Sequence, residues 1–600
     1  MRIPRPQTLW TRTVALAAAG SLTVGALAAC SAGSTTAASD GSGTTTAQVS
    51  ATDNSGRSAQ DVLAENLSSE DTAALADATW DTADEVAVTL DGDSASVSAA
   101  ASGDGVTVDG STVTITEPGT YRVSGTLDDG QVVVDSSADG VVRLVLDGAD
   151  VTSSTGAAID VRDADQVSVV LADGSTNRLE DAAEYADTTS DNAANAALYS
   201  TADLAVSGGG ALDVVGNAND GITGKDGLVI ASGTVTVDAA DDAIRGKDYL
   251  VVSGGTIDVT AGGDGLKSDA DDDVTAGYVA LTGGDVTVEA GSDGVQGFTD
   301  VAITDGTLTV TGSEEGVEAA TIAVSGGDTD ITSTDDGLNA TVKEAEDDTT
   351  TEDGATDDTT DGTTDDTTTE DQQAQPEPPA DGEMPTGEPP ADGEMPQGEA
   401  PQGGGGGGGG MDAVQEGASL TITGGTLHVD AEGDGLDSNG VTVVSGGDVV
   451  VEGPTNGGNG ALDSAGGSTV SGGTVLAVGS AGMAEAFDED STQGWVALTA
   501  DATLEAGTEV AVVDADGTEV ATITLSKTAQ SVVYTGPEIT DGDTYTLIAD
   551  GDEVGTATAG EEPAGGMGGP GGAAPGGSTD QGAQSDQTDE GGQSSSTTTS

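Results

Sequence analysis

Residues 219–240 run NDGITGKDGLVIASGTVTVDAA, 241–262 run DDAIRGKDYLVVSGGTIDVTAG, and 263–291 run GDGLKSDADDDVTAGYVALTGGDVTVEAG. The three lines share one phase, and 292–313 and 314–340 continue it. With the acidic residue ahead of a Gly or Ala as marker, the positions are Asp220, Asp242, Asp264, Asp293, Glu315 and Asp336, at steps of 22, 22, 29, 22 and 21. A repeat in the low twenties is the signature of a solenoid, because one such unit cannot bury an apolar face alone and must stack on its neighbours. Each period holds two short strand patterns. In the second, apolar residues alternate, as in Val235/Val237, Ile257/Val259, Val286/Val288, Leu308/Val310, Leu427/Val429 and Val449/Val451. Alternation sends one residue inward and the next to solvent. Paired glycines precede these strands at Gly254-Gly255, Gly283-Gly284, Gly326-Gly327, Gly424-Gly425, Gly446-Gly447 and Gly472-Gly473, where a positive φ lets the chain turn a corner. With no helix-period segment between strands, successive units must pair in parallel as a coil. The expected fold is all-β, a right-handed parallel β-helix with a disordered insert and a small β cap at its C-terminal end.

The repeats extend in both directions. They resume at 418–452 and again at Gly472-Gly473, after an interruption over 343–417 that is Asp/Glu/Thr-rich, then Pro-rich, then poly-Gly. Such a stretch has too little apolar surface to fold and is expected to be a disordered loop between two turns of the coil. Upstream, 80–212 is less regular but strand-like. Downstream, a hairpin is expected about Asp516-Gly517, in a region that would cover the open edge of the coil. The only helix-like pattern is short, within 61–78. The tail from 561 is rich in Gly, Pro and Ser.

Arg2, Arg5 and Arg12 precede an apolar run at 14–29 that ends in Leu27-Ala28-Ala29-Cys30. That is the layout of an export signal, and its last four residues are similar to a bacterial lipobox, in which the Cys is lipidated. The expected organisation is a lipoprotein signal at 1–29, a flexible tether at 30–78, a first β-helix part at 79–342, the insert at 343–417, the continuation and cap at 418–560, and a tail at 561–600. Localisation follows: the outer face of the cell membrane, with Cys30 as the lipidation site and the lipid as the only membrane contact.

The formal charge is −93, with a single Cys and a single His. This excludes an internal disulfide and a Cys/His zinc site, and opposes nucleic-acid binding, which requires clustered Lys and Arg. His428, in TLHVD, is expected to point to solvent. Residues of equal phase stack about 4.8 Å apart. Asp220, Asp242, Asp264, Asp293, Glu315, Asp336 and Asp434 would thus form a ladder, with Asp269 close by. Side-by-side carboxylates repel unless a cation lies between them, and carboxylates with turn carbonyls make an oxygen-only site suited to Ca²⁺. Lys225, Arg245, Lys247 and Lys267 fall three or five residues after a marker, and either compensate the ladder or hold a sugar carboxylate.

A set of motifs then adds a resemblance. It comprises Pro118-Gly119-Thr120-Tyr121, Asp129-Gly130-Gln131, Leu144-Val145-Leu146-Asp147-Gly148, Asn177-Arg178-Leu179, Ala197-Leu198-Tyr199-Ser200, Asn219-Asp220-Gly221-Ile222, Arg245-Gly246-Lys247-Asp248 and Gly263-Asp264-Gly265-Leu266-Lys267-Ser268. On these residues the chain resembles the bacterial secreted carbohydrate-binding β-helix family, which is cellulose- and pectin-binding, calcium-containing and polysaccharide-lyase-like in fold. The resemblance spans about 80–341 and 418–560. It implies binding of acidic polysaccharide through a Ca²⁺-organised face, without catalysis, and the chain is expected to be a monomer. The alternatives are a Ca²⁺-dependent lyase with Arg245 or Lys247 as base, and a structural or adhesive envelope protein. In the second half, Asp434-Gly435-Leu436-Asp437 is acidic where earlier turns are basic.

Overall fold

The computed structural model describes residues 58–343 and 414–562, apart from 71–73, 75, 77–78, 99–104, 189 and 191. Within them the expected parallel β-helix is borne out, and its register reproduces the period. Ile222 pairs with Ile244, Ile244 with Leu266, Leu266 with Val295, Val295 with Val317, and Val317 with Leu338. In the regular part each turn gives a three-residue strand, such as Ile244–Gly246 or Leu266–Ser268, to a thirteen-stranded sheet. It then gives a long strand, such as Tyr249–Ala261 or Tyr278–Ala290, to a larger sheet. The step of 29 arises because seven extra residues loop out between these two elements after Ser268.

The long strands break register at the paired glycines, between Val252 and Ser253 and again before Thr256. The second glycine of each pair has positive φ, as at Gly255 (98°) and Gly447 (90°). The first is needed for a different reason: a Cβ on Gly446 would lie 2.2 Å from the carbonyl oxygen of Thr423 in the turn below. The alternating residues fill the lumen. Val235, Val237, Ile257, Val259, Val286, Val288, Leu308, Val310, Leu427, Val429, Val449 and Val451 are each at most 2% exposed. From the opposite wall Ile222, Ile244, Leu266, Val295, Val317, Leu338, Leu436 and Leu462 complete the core. Each such side chain contributes about 1.5–3 kcal/mol of burial free energy.

The insert does not interrupt the stack. Leu338 pairs directly with Leu436, and Thr321 with Ser419. The Val342 N–H donates to the Gln415 side chain at 2.8 Å, so the chain leaves and re-enters the coil at one place. Residues 344–413, like Cys30, the signal segment and the tail from 563, lie outside the described residues. The last parallel strand, Ser468–Gly479, is paired antiparallel with Ala529–Thr535, which also pairs with Trp495–Leu504. A four-stranded antiparallel sheet follows, with the hairpin at Asp516-Gly517 joining Glu509–Val513 to Glu519–Thr524. The open edge of the coil is thereby occupied.

The segment expected to be tether is, from Ser58 on, part of the fold. A five-residue helix, Ala59–Leu63, places Ala59 and Val62 against Ala302 and Ala323, outward residues of two adjacent turns. Asn66 then donates to Asp300 at 2.8 Å, the Leu67 N–H donates to the Thr275 carbonyl, and the Tyr278 hydroxyl donates to the Leu67 carbonyl. Trp80 lies under the Arg143 guanidinium, and Glu85 pairs with Arg122. The described parts of this segment thus strap the outside of the coil, first at the turns of Ala323, Ala302 and Tyr278 and then at its first turns. Small outward residues are what let it lie close.

Candidate ligand and cation site

The short strands have one outward residue each, and register stacks these into a column: Thr223, Arg245, Lys267, Gln296, Glu318, Asn339, Asp437, Asp463. Three residues earlier in every turn but the last, where Gly460 stands, come the seven marker acids, and these form the expected ladder. The Asp264 N–H donates to the Asp242 carboxylate at 3.0 Å, the Asp293 N–H to Asp264 at 3.0 Å, and the Asp434 N–H to Asp336 at 2.6 Å. The Asp242, Asp264 and Asp336 carboxylates therefore each cap the backbone of the next turn, and Asp242, Asp264 and Asp293 are no more than 5% exposed. Burial opposes ionisation. It pushes Asp220 up to about 7, Glu315 to about 7, Asp336 to about 6 and Asp434 to about 7, and raises Asp242 and Asp293 as well.

The ladder has two unlike halves. In the first, the chain supplies its own cations. The Lys267 ammonium lies 3.1 Å from Asp242 and 2.7 Å from Asp264. Burial works against its charge, but the two carboxylates outweigh this and raise its pKa. Arg245 reaches across a turn to Asp269, with Nε–Oδ1 at 3.2 Å, and approaches Asp220 at 3.8 Å. Asp220, Asp242, Asp264 and Asp269 are thus each met by a protein cation. Arg245 and Lys267, candidates for sugar contact by sequence, are engaged by these acids.

Lys225 and Lys247 differ. They sit two residues beyond Thr223 and Arg245, on the same outward phase, and among the described residues neither forms an ion pair. Burial, and next the Arg245 charge, lower the Lys225 pKa. Two loops flank these turns. The described part of the segment ahead of Ala196 folds over the preceding turn, where Tyr185 packs on Ala157, Ala196 and Tyr199 and its hydroxyl donates to Asp181 at 2.6 Å. Residues 269–277 follow the Lys267 turn and carry Asp269.

In the second half the acids meet fewer cations. Asp293, Glu315 and Glu318 bring one carboxylate oxygen each within 4.8 Å of one another. Gln296 donates to Asp293 at 2.7 Å, Asn339 donates to both Glu315 oxygens at 3.1 and 3.2 Å, and Lys343 contacts Glu318. Glu318 was missed by the marker phase because it belongs to the neighbouring column; comparing it with Arg245 and Lys267 would have found it. Further on, burial and the charges of Asp336, Asp434 and Asp463 push Asp437 up to about 8. The outward face therefore passes from basic to acidic along the coil axis.

His428 points outward as expected, between the lumen residues Leu427 and Val429, but it has partners that the sequence did not show. It is only half-exposed and stands between Asp330 of one neighbouring turn, at 3.5 Å, and Glu452 of the other, at 3.7 Å. Hydrogen bonding to Glu452 is the chief cause of its raised pKa. Glu452 also accepts from the Ser526 N–H and hydroxyl at 2.7 and 2.6 Å, so this group fastens the C-terminal cap to the coil.

Residues 109–359 match the family described as carbohydrate-binding domain-containing protein. A protein of that description from Acetivibrio thermocellus is 42% identical over 137 residues, which are 23% of this chain. The chain spans about half the length, 48%, of that curated relative. A solved structure, titled as the polysaccharide lyase-like protein from C. thermocellum in a gadolinium derivative, shares 33% identity over 44% of this chain and 97% of its own, with a TM-score of 0.37. The resemblance drawn from the motifs is thus borne out: the chain carries the carbohydrate-binding domain of this family over residues 109–359, which take in the turns of Lys225, Arg245, Lys247 and Lys267.

Proposed function

We propose that this protein holds an acidic polysaccharide, pectin-like in chemistry, on the outward face of its β-helix and does not cleave it. The observation that carries the reading is the pair Lys225 and Lys247, cations without an ion-pair partner among the described residues, between two loops and within the matched domain. On a chain of charge −93, an unpaired lysine is informative, since carboxylates to compensate it are abundant. Asp269 and Asp220 act on Lys225, and Lys247 on Asp226 and Asp248, only at a distance, and a uronate carboxylate would supply a direct contact. Arg245 fits the role of a lyase base poorly, because Asp269 and Asp220 hold it in its charged form. The protein acts as a monomer, anchored through lipid on Cys30 at the outer face of the membrane.

Ca²⁺ belongs to this reading in the second half of the ladder. Asp293, Glu315 and Glu318 offer converging oxygens, and burial together with neighbouring carboxylates raises the pKa of Asp293 and Glu315, so a divalent ion would relieve what Lys343 alone, on Glu318, leaves uncompensated. Asp336 and Asp434 are next along the same stack, while Asp220, Asp242, Asp264 and Asp269 are already met by Arg245 and Lys267. Bound there, Ca²⁺ would supply charge neutralisation and rigidity.

The test is affinity electrophoresis in polygalacturonate gels, with calorimetric Ca²⁺ titration of chelator-stripped protein. Retention is expected without release of unsaturated ends, and Lys225→Gln with Lys247→Gln should weaken it about tenfold or more. Glu318→Gln should weaken Ca²⁺ uptake. Unsaturated products would replace this reading with the lyase; absence of retention on any glycan would leave a structural or adhesive role.

A further inference from the structure

The position of Lys225 and Lys247 recurs in the next two turns. Counted from the ladder acids Asp220, Asp242, Asp264 and Asp293, the residue five places on is Lys225, Lys247, Asp269 and Phe298. The backbone confirms the equivalence. The Lys225 N–H donates to Ser200, the Lys247 N–H to Gly224 and the Phe298 N–H to Ser268, in each case the residue that ends or follows the short strand of the turn below. Phe298 follows the strand Val295–Gly297 directly, at the bend position that the two lysines occupy in their own turns.

Phe298 is out of place there. The chain has only two phenylalanines; Phe487 is 1% exposed in the core, whereas Phe298 is only partly buried, beside an acidic, polar surface. The end of the 269–277 loop is cut back beside it: Gly277, at φ 75°, stands where a Cβ would come within 3.0 Å of the Phe298 Cβ. Between the lysines and the phenylalanine, Asp269 presents no free charge, because Arg245 holds its carboxylate. Past Phe298 the outward positions turn acidic at Glu315 and Glu318 and offer a polyanion no free cation, since Lys343 is held by Glu318 and the proposed Ca²⁺ would be spent on these carboxylates.

We infer that Phe298 is the stacking platform at one end of a glycan track that runs along the coil axis, from Lys225 through Lys247 to Phe298. Resting on the proposed function, this adds the direction of the bound polymer and its boundary. Three inter-turn steps of about 4.8 Å make the track roughly 14 Å long, enough for several sugar rings. One face of a pyranose ring presents C–H groups. Laid on the phenyl face, they cover apolar surface that otherwise stays in water and meet the negative face of the ring. The uronate groups of the preceding sugars then fall at the two lysines. The substrate class is a polyuronate whose bound stretch ends in a ring with an accessible C–H face.

The experiment is calorimetry of full-length protein with galacturonate oligomers of increasing length, at two salt concentrations. Phe298→Ala should weaken the longer oligomers about tenfold, leave the shortest unaffected, and leave the salt dependence unchanged because both lysines remain. Phe298→Trp should restore affinity. Lys225→Gln with Lys247→Gln should instead flatten the salt dependence. Unaltered melting of Phe298→Ala establishes that the coil is intact. If Phe298→Ala binds every oligomer like the wild type while the lysine variant loses affinity, the platform is refuted and the proposed function stands. If the wild type binds no polyuronate, both fall together.

Discussion

Replacing Lys267 by Met tests whether the first half of the ladder is neutralised from within. The ammonium is 2.7 Å from Asp264 and 3.1 Å from Asp242, whose residues are 3% and 4% exposed. Removing one member of a buried ionic group costs about 3–5 kcal/mol, since the remaining charges are stranded. Lys267 keeps a fifth of its side chain in water (22%), so the lower end, about 3 kcal/mol, is appropriate. The loss should be local. The Asp264 N–H bonds to the Asp242 carboxylate and the Asp293 N–H to that of Asp264, so native-state hydrogen exchange at these amides reports it directly. About 3 kcal/mol corresponds to roughly a hundredfold faster exchange. The pH dependence has a definite sign. Burial raises Asp242 in the fold, so its contribution is lost as pH rises through the folded pKa; without the lysine this loss deepens. Lys267→Met should therefore be worse at pH 8 than at pH 5. Adding Asp242→Asn and Asp264→Asn, which keep an acceptor oxygen, should recover most of the loss. Wild-type exchange rates in Lys267→Met at pH 8 would refute the reasoning.

The corners and the cap give two further predictions. Gly446→Ala should destabilise the coil by about 3 kcal/mol, because the new Cβ would meet a backbone oxygen of the turn below at 2.2 Å, whereas Gly517→Ala, with positive φ but open space, should cost only about 1–2 kcal/mol; chemical denaturation of the two variants compares them. His428 has a raised pKa, so what it contributes is fully present below its unfolded value and is lost as pH rises through the folded one. The melting-temperature difference between wild type and His428→Gln should accordingly shrink from pH 6 to pH 8.5, and exchange at Ser526 should rise in parallel; a constant difference would show that His428 is not part of the cap contact.

The coil was legible because every turn makes the same local demand. Val237, Val259, Val288, Val310, Val429 and Val451 answer one lumen position, and Gly255, Gly284, Gly327, Gly425 and Gly447 one corner, so phase alone locates them. The acidic ladder was legible for the same reason. Its partners were not. Whether Arg245 holds a sugar or Asp269, 24 residues on, depends on the reach of a side chain across turns, and a loop of irregular length carries Asp269. Glu318 escaped because its significance lies in a neighbouring column, and His428 because the acids beside it come from the turns before and after. The strap was hidden for another reason. Ala302 and Ala323 are ordinary outward residues of their strands, and only the chain laid over them shows that their small size matters.

That strap changes where the molecule can be pulled. Tension on the chain ahead of Ser58 reaches the body first at the turns of Ala302 and Ala323, well along the coil, and not at its first strand. The bonds at Asp300, Thr275 and Tyr278 are strung out along the coil axis, so a lengthwise load is shared among them in shear instead of peeling them singly. With lipid on Cys30, the tether would hold the coil by its flank, like a boom slung from partway along its length. The proposed track from Lys225 to Phe298 lies within or next to the turns so held, so the drag of a bound polymer would pass to the tether over a few turns instead of along the whole stack.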